Sequence, residues 1–456
     1  MSFKQSRVPS PHLHAVSGYK NHHNSNLLVC SKMALTCADK VIGCCFRAAI
    51  CIFNLIYVIL RYCGFDIVPL TLEKVIEPLT PEQKTEASRL DFSTPLEYFM
   101  EGFNRNPQIS GFQRFLTLLK ARIFVVQRAT VKHEIQKNPD ILKTPVENPL
   151  VIIGLPRSGT TMLQRMLSSN PKFLSPMSWE LLTPPVPPGR PANFRDTERY
   201  KKVRQLFKLR DWLGLTEMDK KHKVGIELNE ECLLILKTYF IEVVDTVPEG
   251  FEELRHYVYN YPEENLLEAY TFYKHYLQCV FYNNLDGEKQ LLLKAPIHTL
   301  HLDTYCKVLP ASKFIFTHRD FKEITASLCS LKYEALEEIG FHGDRIEHGK
   351  RVLEFYKHLC DRIVPFLKKL PEDSYIILDY AELMSDPLGA VKKIYARFGL
   401  TFTEEVENAM KAHMSENPKD KFGKHEYRLE EWGITEKDID ETFSGLQYYL
   451  DGMSIV

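Results

Sequence analysis

The stretch PLVIIGLPRSGTTMLQRML, residues 149–167, reads as a short buried strand, a glycine-bounded loop and an amphipathic helix. The apolar run at 149–153 has the length of a strand covered on both faces. Met162, Leu163, Met166 and Leu167 fall on one side of the following helix and belong to a core. Between the two, Gly154 and Gly159 keep the spacing of a phosphate-cradling loop. The nucleotide triphosphatase pattern G-x-x-x-x-G-K-[ST] is not met, because Thr160 stands in the lysine's place and Arg157 lies inside the loop. The lysine and the magnesium-holding hydroxyl that grip terminal phosphates are thus not evident. Backbone N–H groups of residues 158–161, the hydroxyls of Thr160 and Thr161 and one guanidinium suit a metal-free, diester-like anion.

Working outward, short continuous apolar runs recur at 291–294 (LLLK), 313–317 (KFIFT) and 374–379 (SYIILD), with helical stretches between them. The alternation predicts an α/β fold, a P-loop-type doubly wound parallel sheet flanked by helices, with ligands at the carboxyl ends of the strands. The marked residues fall at those ends. In FIFTHRDFKEITASLCSL, residues 314–331, Arg319 lies just beyond a strand and Ser327 two turns into the next helix, a pair suited to a second phosphate. His318 and Asp320 are expected to fix the turn, and Ile324, Leu328 and Leu331 to face the core.

The chain has 456 residues, 44% of them hydrophobic, and a net charge of −1 with both signs interspersed. That balance shows no electrostatic footprint for nucleic acid and leaves room for a local anion site. Six of the eleven cysteines crowd residues 30–63 and five are scattered singly, without zinc spacing. No Asn-x-Ser/Thr sequon occurs. Both features favour a reducing compartment for the main domain.

Four regions are expected: a disordered tail at 1–40, a hydrophobic anchor or docked helix with its linker at 41–78, a helical preface at 79–148, and a catalytic domain at 149–450. Thr80-Pro81 marks a helix start in the preface. The run VIGCCFRAAICIFNLIYVIL, residues 41–60, approaches the about 20 residues needed to cross a bilayer, but Arg47 and Asn54 interrupt it. It admits three readings: a single-pass anchor, an interfacial helix with acylatable cysteines, or a helix docked on the catalytic domain. Membrane association is the expectation, with the Golgi-lumen orientation left open. The excursion between Trp179 and Tyr273, opened by TPPVPPGRP, is expected to build an acceptor pocket or lid.

GLPRSGTT at 154–161 followed by HRD and the serines 327 and 330 resembles the sulfotransferase superfamily that uses 3′-phosphoadenosine-5′-phosphosulfate. SPMSWELLTPPVPP, LLLKAPIHTLHLDTYCKVLPASKFIF, ILDYAELMSDPLGAVKKIYARFGL and HEYRLEEWGI are similar, in that order, to the broad sulfotransferase group of bacteria and invertebrates, so the likeness covers about residues 80–450. The resemblance implies that Arg157, Ser158, Gly159, Thr160 and Thr161 hold the 5′-phosphosulfate and Arg319 with Ser327 the 3′-phosphate. It also implies a catalytic set of Arg157, Lys294 at its strand end, and a base that is either Glu180, the preferred candidate, or His298. Glu230, Glu231 and Cys232 would line the acceptor side, and the basic residues Lys421, Lys424, His425 and Arg428 would close over the 3′-phosphate. Phe321 departs from the proline such enzymes often place there.

The expected activity is therefore in-line, metal-free sulfuryl transfer from 3′-phosphoadenosine-5′-phosphosulfate to a hydroxyl or amine of a small-molecule, lipid or glycan acceptor, with no nucleic acid partner. A P-loop nucleotide kinase or NTPase is the alternative enzyme class. A catalytically inactive nucleotide-binding scaffold is the third reading, and Arg157, Lys294 and Glu180 are the residues it would be expected to lose.

Overall fold

A computed structural model describes residues 37–106, 109–216, 219, 223–241, 250–285, 287–338, 343–416 and 428–453, all within one compact unit, Leu35–Val456. The tail expected at 1–40 lies outside the described residues except for 37–40, which already form the first turn of a helix.

The preface is helical: α1 (Cys37–Tyr62), α2 (Leu72–Ile76), α3 (Pro81–Ala87), α4 (Leu90–Arg105) and α5 (Gly111–Lys137). Thr80 caps α3 and Ser110 caps α5, each in a reciprocal box with the glutamine three residues on. The buried Arg128 of α5 joins Glu86 of α3, at 2.6 Å, to Asp91 of α4. Helix α1 contains Val41–Tyr62, long and apolar enough to cross a membrane.

The remaining helices are α6 (Thr160–Leu167), α7 (Ser178–Leu181), α8 (Glu198–Leu213), α9 (Leu233–Leu236), α10 (Glu252–Tyr259), α11 (Glu263–Val280), α12 (Leu302–Val308), α13 (Phe321–Glu338), α14 (Arg345–Leu367), α15 (Tyr380–Ser385), α16 (Pro387–Arg397), α17 (Glu404–Glu416) and α18 (Glu436–Met453). Helices α7 to α11 fall in the expected excursion, α7 starting one residue before it and α11 running on past its end.

Among the described residues, five parallel strands, β1 (Leu150–Gly154), β2 (Phe173–Leu174), β3 (Gln290–Lys294), β4 (Lys313–His318) and β5 (Tyr375–Asp379), lie in the order β2-β3-β1-β4-β5. Their side chains alternate between two apolar layers, which explains why the sequence shows unbroken apolar runs. Val151, Ile153, Leu293, Phe314 and Phe316 face a core built with α5, α11 and α14. Leu150, Ile152, Leu292 and Ile315 face a second core, with Leu163, Met166 and Leu167 of α6 and residues of α16 and α17. The register pairs Ile152 with Lys294, Gly154 with Thr317 and His318 with Asp379, so four strand ends meet at one edge of the sheet. The site residues cluster at that edge.

Candidate active site

The loop after β1 is braced by β4 and α14. The Ser158 hydroxyl donates to Leu155 O at 2.5 Å and bonds Thr317 Oγ1 at 2.6 Å, so this fully buried side chain braces the loop against β4. Tyr356 of α14 donates to Pro156 O at 3.1 Å and to Ile324 O at 3.2 Å, fixing the loop to α13. Gly154, at φ 131°, runs so close to β4 that a Cβ would stand 2.4 Å from Thr317 O. Gly159, at φ 88°, is the N-cap of α6 and supplies no side-chain bond. The first-turn N–H groups of α6 therefore have no N-cap side chain to satisfy them, an arrangement that favours an anion.

Arg157 takes a left-handed backbone, φ 71°, which is costly for a residue with a Cβ and concentrates at functional sites. Its Nε donates to Ser327 Oγ at 3.0 Å, joining the loop to α13. Arg319 sits at the end of β4 with its guanidinium carbon 4.2 Å from the centre of the Tyr380 ring and its charge paired with Glu323 one turn on. Tyr380 also borders Gly159, where an added Cβ would lie 2.9 Å from the ring. Asp320 accepts the Glu323 N–H at 2.9 Å, and His318 Nδ1 lies 3.6 Å from Asp379, so both shape the turn. Phe321, in place of the anticipated proline, stacks on Phe443 of α18 with ring centres 4.3 Å apart.

Lys294, fully buried at the end of β3, donates to Thr161 Oγ1 at 3.2 Å and pairs with Glu231 Oε1 at 2.5 Å. Glu231 keeps about a fifth of its side chain exposed. An acid and a base thus stand together beside the first turn of α6.

Glu180 and His298 are not gathered into that group. Glu180 is fully buried, with Arg190 Nε at 2.7 Å from Oε1, Arg190 Nη2 at 2.5 Å from Oε2, and the Met177 N–H at 2.8 Å from Oε2. His298 lies in the turn Pro296–His301 that follows β3, its Nδ1 3.1 Å from the Tyr270 hydroxyl and its Nε2 3.5 Å from Cys232 Sγ, ringed by Tyr270, Tyr273 and Tyr305. Burial pushes its pKa down to about 3, so the ring is neutral. The same burial pushes the Cys232 thiol up to about 11.

Lys421, Lys424 and His425 lie outside the described residues, and Arg428 is exposed at the start of the turn Leu429–Trp432. The sequence reading missed Arg190, Tyr356 and Tyr380. Only Arg190 left a signal, as the one charge in the proline run TPPVPPGRP.

A family model, the sulfotransferase family, matches residues 149–404, more than half of the chain. The omega-hydroxy-beta-dihydromenaquinone-9 sulfotransferase Stf3 of Mycobacterium bovis is 22% identical over 307 residues, 66% of this chain and 75% of that protein. Crystal structures of sulfotransferase STF9 from Mycobacterium avium and STF1 from Mycobacterium tuberculosis superpose with TM-scores of 0.71 and 0.65. Their identities are 23% and 21%; the matches cover 85% and 82% of this chain and 97% of each of theirs. The shared fold, the sheet-edge loop and the extent of the family match lead to one conclusion: the chain belongs to the sulfotransferase family.

Proposed function

We propose that this protein transfers a sulfuryl group from 3′-phosphoadenosine-5′-phosphosulfate to a hydroxyl acceptor, with Glu231 as the proton acceptor. The observation that carries the donor is the bond from Arg157 Nε to Ser327 Oγ, which links the loop cradle to the residues beyond β4. One nucleotide bearing anions at both ends would engage both. The donor set fits: open N–H groups at α6, the Thr160 and Thr161 hydroxyls, and the cations Arg157, Lys294 and Arg319. Ser158 contributes through the shape of the loop. When bound, the nucleotide supplies an activated sulfuryl group on a 5′-phosphate leaving group.

The acceptor oxygen forms a bond to sulfur as the bridging S–O bond breaks, and the electron pair leaves with the 5′-phosphate. The acceptor's proton passes to the Glu231 carboxylate. Lys294, beside Thr161, stabilises the charge growing on the leaving phosphate, and Arg157 stabilises the loop end of the same anion. Glu231 is favoured over Glu180 because its side chain is partly exposed at the anion cradle, whereas both Glu180 oxygens are occupied by Arg190. His298 is favoured least, being neutral and walled in by tyrosines. The arginine in the loop replaces a lysine–magnesium pair, so the reading includes no metal. The Stf3 relative carries a hydroxylated acceptor in its name, which supports a hydroxyl here.

The test is a thermal shift with adenosine 3′,5′-bisphosphate against ATP with magnesium, followed by radiolabelled sulfate transfer to a panel of small-molecule, lipid and glycan alcohols. Stabilisation by the bisphosphate together with label transfer is expected. A response to ATP with magnesium alone, and no transfer, would return the chain to the kinase class.

A further inference from the structure

We infer that α1 lies flat on an anionic lipid surface as part of a preformed membrane-binding face and does not span the bilayer. The polar interruptions of the helix fall on a single stripe. Gly43, Arg47, Ile50, Asn54 and Tyr57 follow one another at alternating steps of four and three, the seam by which α1 packs on its neighbours. At Gly43 an added Cβ would stand 2.6 Å from Trp212 O, at the end of α8. Arg47 Nη1 donates to that same carbonyl at 2.9 Å, and Phe46 stacks on the Trp212 ring. Asn54 Oδ1 accepts the Phe112 N–H of α5 at 2.9 Å, and Tyr57 is buried against Gly111.

These contacts run from residue 43 to residue 57, about 21 Å of helix at 1.5 Å per residue, most of a hydrocarbon core of about 30 Å. A spanning α1 that kept them would draw the charged helix α8 into lipid. One that gave them up would leave Arg47 and Asn54 without partners there. Lying flat requires neither.

The outer side of α1 is apolar: Ile52, Leu55 and Val58 are 59%, 62% and 60% exposed, and Arg47 and Arg61 are the only charges between 41 and 62. On α5, Phe115, Leu116, Leu119 and Ile123 are exposed at helical spacing, starting one turn from the amide that binds Asn54. Charge identifies the occupant. Helix α8 carries six basic residues and two acidic ones, and at its α1 end Lys208 lies 5.0 Å from the centre of the Trp212 ring on which Phe46 stacks, with Arg47 on the Trp212 carbonyl beside it. An apolar face with a basic border is complementary to acyl chains under anionic headgroups.

The full chain is mixed with vesicles of phosphatidylcholine, with and without phosphatidylserine, and pelleted. Binding that rises with phosphatidylserine and falls with salt is expected. Leu55→Glu with Val58→Glu, both at exposed positions, should lower partitioning about 10-fold or more while leaving the melting temperature and sulfate transfer to a soluble acceptor unchanged. Undiminished binding by that variant, or a lipid-free dimer that it dissociates, overturns the proposal. In sealed microsomes, variants keeping only Cys37 or only Cys63 of the N-terminal cysteines should show the same accessibility to an impermeant maleimide. Labelling of one end and protection of the other until detergent is added would establish a spanning helix and sink the idea.

Discussion

Arg190 grips Glu180 with two prongs, Nε on Oε1 at 2.7 Å and Nη2 on Oε2 at 2.5 Å, inside a site where the glutamate has no exposed surface. Around the pair, Arg190 also donates to Ser175 O at 3.0 Å, Tyr276 of α11 donates to Glu180 O at 2.9 Å, and Arg199 of α8 reaches the same carbonyl. Glu180 is thus the hub that ties α7, the proline run, α8 and α11 together. Breaking a buried pair from one side leaves an uncompensated charge, at a cost of roughly 3–5 kcal/mol. Glu180→Gln should lower the melting temperature by several degrees while the folded fraction, assayed well below that temperature, keeps turnover within a few-fold. Loss of turnover without loss of stability would restore Glu180 as the base.

Glu231→Gln should give the opposite pattern. Glutamine keeps the shape and can accept a bond from Lys294 but cannot take a proton, so turnover should fall by roughly 10²–10⁴-fold. Binding of adenosine 3′,5′-bisphosphate should stay within a few-fold, because the loop and Arg319 are untouched. Full activity in this variant would remove Glu231 from the chemistry.

The split between those two glutamates marks where the sequence stops being informative. Buried parallel strands announce themselves as continuous apolar runs, so β1, β3, β4 and β5 were legible to within a residue at either end. The two-residue β2, Phe173–Leu174, is too short to leave a pattern. Loop residues fixed by backbone geometry, Gly154, Arg157 and Gly159, were legible for the same local reason. Side-chain state was not. Glu180 looks free in SWEL, and only the fold returns Arg190 to it. His298 looks accessible in KAPIH, yet Tyr270 of α11 and Tyr305 of α12 enclose it. Arg47 and Asn54 read as defects in a hydrophobic run because their partners, Trp212 and Phe112, lie far along the chain.

Acid should destabilise this protein through its buried histidines. Burial lowers His298 and His301 to about 3 and His348 to about 4, all below the unfolded value of about 6.5. Between those limits the unfolded chain binds protons that the folded chain refuses, so stability is full above about pH 6.5 and falls as the pH drops towards 4. Each histidine can contribute up to about 1.4 kcal/mol per pH unit in that window. Urea midpoints measured from pH 7.5 down to pH 5 should decline steadily, and His348→Gln should flatten the slope. A midpoint independent of pH over that range would contradict the burial of these rings.

Arg157 and Ser327 should behave as one unit towards the nucleotide. In the proposed complex Arg157→Ala would remove a charge-assisted contact worth about 1.5–3 kcal/mol, and Arg319→Ala another of that size at the second anion. Each should therefore weaken adenosine 3′,5′-bisphosphate binding by about 10- to 150-fold, read by calorimetry. Ser327→Ala alone should cost less, because a neutral hydroxyl contributes about 1 kcal/mol. The double variant Arg157→Ala with Ser327→Ala is the informative one. Since Arg157 Nε already rests on Ser327 Oγ at 3.0 Å, removing the serine also releases the arginine, and the two losses should be less than additive. Arg157→Ala with Arg319→Ala should instead add, because in the proposed complex the two guanidiniums would engage anions at opposite ends of the nucleotide. Strict additivity in the first pair, or unchanged affinity in both arginine variants, would mean that the loop and the end of β4 do not hold one ligand between them.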